Sequence, residues 1–154
     1  MAKATATVTV DPQRDGNPLR DGLHRDRVTD PCSIVFFGAS GDLFKRMLLP
    51  AVYALRLNGT LSNDFALVGY SRSKYTDESF REYCKQQLDE FAPADQKPKG
   101  AIWDDFERRI SYMSADFDDV KCYEALKKRL DENDAQLGTA HNRLFYLSTP
   151  PSVF

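Results

Sequence analysis

From Ser33 onward, short apolar runs built from strand-favouring residues alternate with segments of helical pattern. Ile34-Val35-Phe36-Phe37 is continuous and apolar, the mark of a strand buried on both faces. It stops at Gly38. Leu48, Leu49, Val52, Leu55 and Leu57 then recur at helical spacing, and Asn58-Gly59 is a helix stop. Pro50 lies inside this segment, so either the helix kinks there or its regular part begins near Pro50. Phe65 to Tyr70 reads as a second strand. Thr76 predicts the cap of a helix from Asp77 to about Phe91. A loop over Pro93–Gly100 and a short helix over Ala101–Arg108 lead to a third strand at Ile110–Met113. Asp118 or Asp119 then caps a helix that turns Val120, Tyr123, Leu126 and Leu130 toward the core. Arg143–Ser148 is the fourth strand.

Parallel strands require long crossovers, and the helical segments supply them. Right-handed crossovers make the whole one wound layer. The expected fold class is α/β, a Rossmann-like wound parallel sheet with flanking helices, over residues 31–154. Residues 1–30 carry five acidic and five basic side chains and little apolar periodicity, and read as a disordered polar arm.

The formal net charge of -2 leaves no basic surplus for a row of nucleic-acid phosphates. No apolar run approaches the roughly 18 residues of a membrane span, and the start lacks a secretory core. Cys32, Cys84 and Cys122 are widely spaced and odd in number, as expected of reduced, mostly buried thiols in a cytoplasmic protein. With His24 and His141 they form no metal pattern, so no metal is expected.

Gly38-Ala39-Ser40-Gly41-Asp42-Leu43 lies directly between the first strand and the first helix. The glycines permit a tight turn and close approach of the backbone to a pyrophosphate. The helix start offers N–H groups and a positive dipole end to the same anion, and the Ser40 hydroxyl adds a further hydrogen bond. Phe44 stands where close helix-to-sheet packing wants a small residue. No GK[ST] follows, which removes a P-loop hydrolase. NAD-binding folds usually end their second strand on an acid that holds the ribose 2′-hydroxyl. Here the strand ends Tyr70-Ser71-Arg72-Ser73-Lys74, with cations and hydroxyls instead. Arg72 and Ser71 suit a 2′-phosphate, so NADP is the expected coenzyme.

These residues resemble a known family, the glucose-6-phosphate dehydrogenases. The run from Ile34 to Leu43, then Lys45-Arg46 and Leu48-Leu49-Pro50-Ala51, is similar to the family signature GASGDLxKRKLxPA. Val68 to Ser73 resembles its second-strand turn. Asn142 to Leu147 with Pro150-Pro151-Ser152-Val153-Phe154 resembles NRLFYLAxPPxxF. The resemblance implies oxidation of glucose 6-phosphate at C1, hydride transfer to NADP, and 6-phosphogluconolactone as product, at the entry of the pentose phosphate pathway. It also implies a homo-oligomer for the full protein. Carried over, Gly38, Ala39, Ser40, Gly41, Asp42 and Leu43 line the coenzyme diphosphate and Arg72 holds the 2′-phosphate. Asp116 and Phe117 lie near the adenosine half, and Pro150 and Pro151 shape the cleft near the nicotinamide. Met47 departs from the family by replacing a lysine associated with the coenzyme–sugar cleft, a charge for which Lys45 or Arg46 is the available substitute.

The family's EKPFG and RIDHYLGKE segments, with its sugar-phosphate and general-base histidines, would lie beyond Phe154. His24 and His141 are poor candidates for the base. The expectation is therefore a coenzyme-binding amino-terminal fragment of a two-domain enzyme, inactive alone and with no catalytic residue of its own. Two other readings compete. A short-chain dehydrogenase would use a Tyr-x-x-x-Lys pair, for which Tyr123 and Lys127 have the spacing. A non-catalytic NADP-binding or interaction module would need no further domain.

Overall fold

The structure, a computed structural model, describes residues 28–150. Most of the polar arm read at residues 1–30, and Pro151, lie outside the described residues. Four strands, β1 (Cys32–Phe37), β2 (Phe65–Ser71), β3 (Ile110–Ser114) and β4 (Arg143–Leu147), form one parallel sheet in the order β3-β2-β1-β4. Val35 pairs with Val68 on one side and Phe145 on the other. The helices are α1 (Leu49–Leu57), α2 (Asp77–Phe91), α3 (Gly100–Arg108) and α4 (Val120–Leu137). The wound α/β fold expected from the alternation is the fold observed.

Alternation of side chains along β1 divides the core in two. Ile34 and Phe36 face α1, α2 and α3, packing with Tyr53, Phe80, Leu88 and Phe106. Val35 and Phe37 face α4, packing with Val68, Tyr70, Leu126 and Leu130. β1 is thus buried on both faces, as its unbroken apolar run requires. β4 is different. Its Leu144, Phe145, Tyr146 and Leu147 are all exposed, and among the described residues β1 is the strand's one neighbour.

Local rules set most boundaries. Thr76 and Ser79 form a reciprocal capping box at the start of α2. Of the two candidate caps for α4, Asp119 is the one used, accepting from the Lys121 N–H at 3.0 Å. Gly138 closes α4 at φ 71°. Two apolar expectations fail. Val120, the first helical residue, is 73% exposed, and Tyr123 is 40% exposed; Leu55, though at helical spacing, is also exposed. Of the cysteines only Cys84 is buried, which pushes its thiol pKa up, while Cys32 and Cys122 are partly exposed and unpaired.

The Pro50 conflict resolves through a π-helical turn. The helix opens at Asp42–Leu43, widens to a π-turn over Phe44–Leu48, and continues as α1 with Pro50 in its first turn. A proline ring collides with the carbonyl four residues earlier in a regular helix. The widened turn precedes Pro50 and shifts that carbonyl, with Leu49 N–H bonding to Phe44 O instead. The same turn seats Phe44, which is fully buried against Phe36 and Phe80, at ring-centroid distances of 5.2 and 6.0 Å. The large side chain expected to obstruct close packing is absorbed here.

Gly69 marks a close approach inside β2. A Cβ there would stand 2.5 Å from Phe80 Cζ and 3.0 Å from Tyr112 Cδ2. Phe80 is fully buried and has nowhere to retreat. Gly69→Ala is expected to destabilise the fold by about 1–3 kcal/mol through overpacking. Urea denaturation measures it, and an unchanged midpoint would mean that the Phe80 ring has room to move.

Candidate functional site

Strand order reverses at β1: the chain runs outward through β2 and β3, then crosses back to place β4 on the other side. Wound sheets bind ligands beside the carboxyl ends of their strands at such a reversal. A cleft of about 540 Å³ opens there. It is lined by Gly38, Ser40 and Gly41 after β1, by Ser71, Arg72 and Ser73 at the end of β2, by Phe117 after β3, and by Ser148, Thr149 and Pro150 after β4.

The glycine turn is built from both neighbours of β1. Gly38 N–H donates to Tyr70 O at 2.8 Å, and Gly41 N–H to Gly38 O at 2.9 Å. Gly38 has φ 86°, and a Cβ there would lie 2.6 Å from Ser148 O. Ser148 N–H and Oγ both donate to Phe37 O, at 2.9 and 2.6 Å. The amides of Gly38, Ala39 and Gly41 are therefore spent on the turn itself. Those open to an anion are at Ser40, within the turn, and in the first helical turn from Asp42, whose leading N–H groups have no partner within the helix.

Ser40 joins this turn to β2. Its Oγ lies 3.0 Å from Ser71 Oγ and 2.9 Å from Ser73 Oγ. Arg72, between those serines, is exposed, and among the described residues no carboxylate pairs with it. The end of β2 thus presents hydroxyls and one guanidinium to the cleft, without an acid.

The structure brings together Gly38, Ser40, Gly41, Ser71, Arg72, Phe117 and Pro150 from the sequence-derived set. Four residues fall elsewhere. Ala39 is fully buried behind the turn. Asp42 and Leu43 point to solvent at the helix start, where Arg46 and Lys45 bond to the Asp42 carboxylate at 2.8 and 3.3 Å. The Arg46 hydrogen bond, followed by that of Lys45, lowers the Asp42 pKa. Asp116 is exposed, and its backbone carbonyl accepts from the Tyr70 hydroxyl at 3.1 Å. Ser148 and Thr149 carry no signal in the sequence, because short polar residues after a strand look like any turn; Ser73 is one of the hydroxyls noted after β2 and reaches Ser40 here.

Met47 is 64% exposed. Its charged neighbours Lys45 and Arg46 both bond to Asp42, and the Arg46 guanidinium lies 4.5 Å from the Phe91 ring centroid. Tyr123, in α4, donates its hydroxyl to Phe117 O at 2.7 Å and stacks on Tyr70, so the hydroxyl holds the turn after β3 rather than serving a Tyr–Lys catalytic pair.

At the opposite end of the sheet, Asp131, Asp134 and His141 bring their ligand atoms within 4.8 Å of one another. Arg143 already bonds to both carboxylates, at 2.6 and 3.0 Å, so the cluster is an ion-pair network fastening α4 to β4.

Comparison with known proteins agrees with this geometry. The family description "Glucose-6-phosphate dehydrogenase, NAD binding domain" matches residues 35–154. The glucose-6-phosphate 1-dehydrogenase of Chlamydia pneumoniae is 44% identical over 133 residues, covering 86% of this chain and 26% of that protein. The enzyme of that name from Schizosaccharomyces pombe is 38% identical, covering 79% of this chain and 24% of the relative. A solved glucose-6-phosphate dehydrogenase, in complex with its substrate glucose-6-phosphate, superposes with a TM-score of 0.71 at 33% identity, covering 83% of this chain and 26% of that one. The chain spans about a quarter of the length of these relatives. With its glycine turn, its wound sheet and residues 35–154 all matching, the chain belongs to the glucose-6-phosphate dehydrogenase family, as that family's NAD-binding domain.

Proposed function

We propose that this chain is the NADP-binding part of a cytoplasmic glucose-6-phosphate 1-dehydrogenase, which oxidises glucose 6-phosphate to 6-phosphogluconolactone and opens the pentose phosphate pathway. The observation that carries the coenzyme reading is the acid-free end of β2, where Ser71, Arg72 and Ser73 face the cleft beside the glycine turn. The residues fit the coenzyme. Gly38 lets the turn close against Ser148 O beside the cleft, where a Cβ would stand 2.6 Å away, and the Arg72 guanidinium, which pairs with no carboxylate among the described residues, lines the cleft where a 2′-phosphate needs a cation.

NADP supplies the hydride acceptor when bound. The chain's residues hold and orient it: the amides around Ser40 and the first helical turn take the diphosphate, Arg72 forks onto the 2′-phosphate, and Phe117 offers an aromatic wall for the adenosine half. Pro150 borders the nicotinamide side, and we assign the same role to Pro151. The C1 hydroxyl proton requires a base. His141, the one histidine among the described residues, is bonded to Asp134 at the amino-terminal edge of β4, away from the cleft. We therefore place the base, the sugar-phosphate site and the contacts of a homo-oligomer in the rest of the longer protein. No helix among the described residues is long and apolar enough to cross a membrane.

Calorimetric titration of the purified chain tests the reading. The expected result is binding of NADP and of adenosine 2′,5′-bisphosphate, weaker binding of NAD, and no NADPH formed on adding glucose 6-phosphate. Equal affinity for NAD and NADP would remove the 2′-phosphate assignment, and turnover would remove the assignment of the base.

A further inference from the structure

Tyr112 lies in β3, behind the cleft, and is buried. Its hydroxyl reaches the two residues flanking Arg72: it is 2.6 Å from Ser71 Oγ and 2.6 Å from Ser73 O, with Ser71 O at 3.3 Å. A carbonyl can only accept, so the phenol proton goes to Ser73 O, and Ser71 supplies the proton of the other short contact. One hydroxyl thereby holds both ends of the Ser71-Arg72-Ser73 turn.

The tyrosine is itself held. Its N–H donates to Asp77 Oδ1 at 2.7 Å, and the other Asp77 oxygen receives Arg129 at 2.9 Å. Its ring packs on Phe80 at 4.5 Å and edge-on to Tyr75 at 5.4 Å. Gly69, which lacks a side chain at the closest point, leaves room for that ring. A phenylalanine would satisfy all of these apolar contacts equally well. The hydroxyl is the one part of the side chain that the core does not use.

We propose that Tyr112 is a positioning residue for coenzyme choice: its hydroxyl fixes the turn that aims Arg72, so that the guanidinium is already placed when a 2′-phosphate arrives. This rests on the NADP reading above. A long, exposed arginine loses rotamer and backbone freedom on binding, and an anchored turn reduces that loss. Tyr112 does not line the cleft; its hydroxyl holds the turn on both sides of Arg72, while the weaker tie from Ser71 on to Ser40 is the one path to the glycine turn, so its effect falls chiefly on coenzymes that carry the 2′-phosphate.

The test compares Tyr112→Phe with Arg72→Ala in the full chain, by calorimetric Kd for NADP and for NAD at a temperature where all variants are folded. Tyr112→Phe is expected to weaken NADP about threefold to tenfold, the scale of one or two neutral hydrogen bonds, and to leave NAD within about twofold. Incorporating 4-aminophenylalanine at position 112 restores a donor at the same place, and the NADP preference should return. Equal weakening of both coenzymes by Tyr112→Phe, or an unchanged preference, overturns the proposal. If Tyr112→Phe fails to fold, the 4-aminophenylalanine protein must still show wild-type preference, and loss of preference there also overturns it. Arg72→Ala separates the two levels of inference. If it leaves the preference intact, the 2′-phosphate reading fails; if it removes the preference while Tyr112→Phe does not change it, only the role of Tyr112 fails.

Discussion

Gly38→Ala is expected to lower the stability of the fold by about 2–5 kcal/mol and to abolish nucleotide binding in the protein that remains folded. Two costs add. At φ 86° an alanine carries left-handed strain, about 1–2 kcal/mol. Its Cβ would also stand 2.6 Å from Ser148 O. Ser148 cannot withdraw cheaply, because its amide and hydroxyl both hold Phe37 O at the end of β1. Displacing it adds a steric cost of about 1–3 kcal/mol, and the turn that approaches the coenzyme opens with it. Gly59→Ala is the matched control, since Gly59 has φ 69° but nothing within 4 Å of a new Cβ. Urea midpoints should fall modestly for Gly59→Ala and far more for Gly38→Ala. Equal falls would mean that backbone strain alone is at work and that the contact with Ser148 is soft.

Arg72→Ala carries the second large effect, on binding rather than folding. A charge-assisted hydrogen bond contributes roughly 1.5–3 kcal/mol, or about tenfold to a hundredfold in Kd. Arg72 is exposed, so salt screening should hold the loss of NADP affinity near the lower figure at physiological ionic strength and enlarge it in dilute buffer. NAD affinity should barely move. The measurement is the pair of Kd values at two salt concentrations. Equal loss for both coenzymes would place Arg72 on the shared diphosphate instead.

The fold was legible where one local rule decides a residue. An unbroken apolar run required β1 to be covered on both sides, and α1–α3 and α4 cover it. Thr76 and Asp119 capped helices because their side chains reach a free N–H two or three residues on. The glycine turn and the acid-free end of β2 were legible for the same reason: each is a local departure that a backbone or a ligand must explain. The rest depended on partners distant in sequence. Leu55, Val120 and Tyr123 have helical spacing, yet what lies opposite them is set by the packing of other elements. The π-turn follows from Phe44 and Pro50 acting together, and neither alone predicts it. In sequence Tyr112 is one more aromatic residue in a strand. Its hydroxyl acquires a role only because β3 pairs with β2 in a register that sets Tyr112 opposite Gly69, two residues short of Ser71.

The bond between Ser148 and Phe37 joins residues 111 apart in the chain. A ribosome delivers β1 and its glycine turn early, and delivers β4 more than a hundred residues later. At about 5–20 residues per second, the nascent turn spends several seconds without the carbonyl that bounds Gly38. β1, though central in the sheet of the described residues, therefore gains its neighbour β4 long after β2. Competence for the coenzyme should then arrive in a single late step, when residue 148 clears the exit tunnel, rather than growing with chain length.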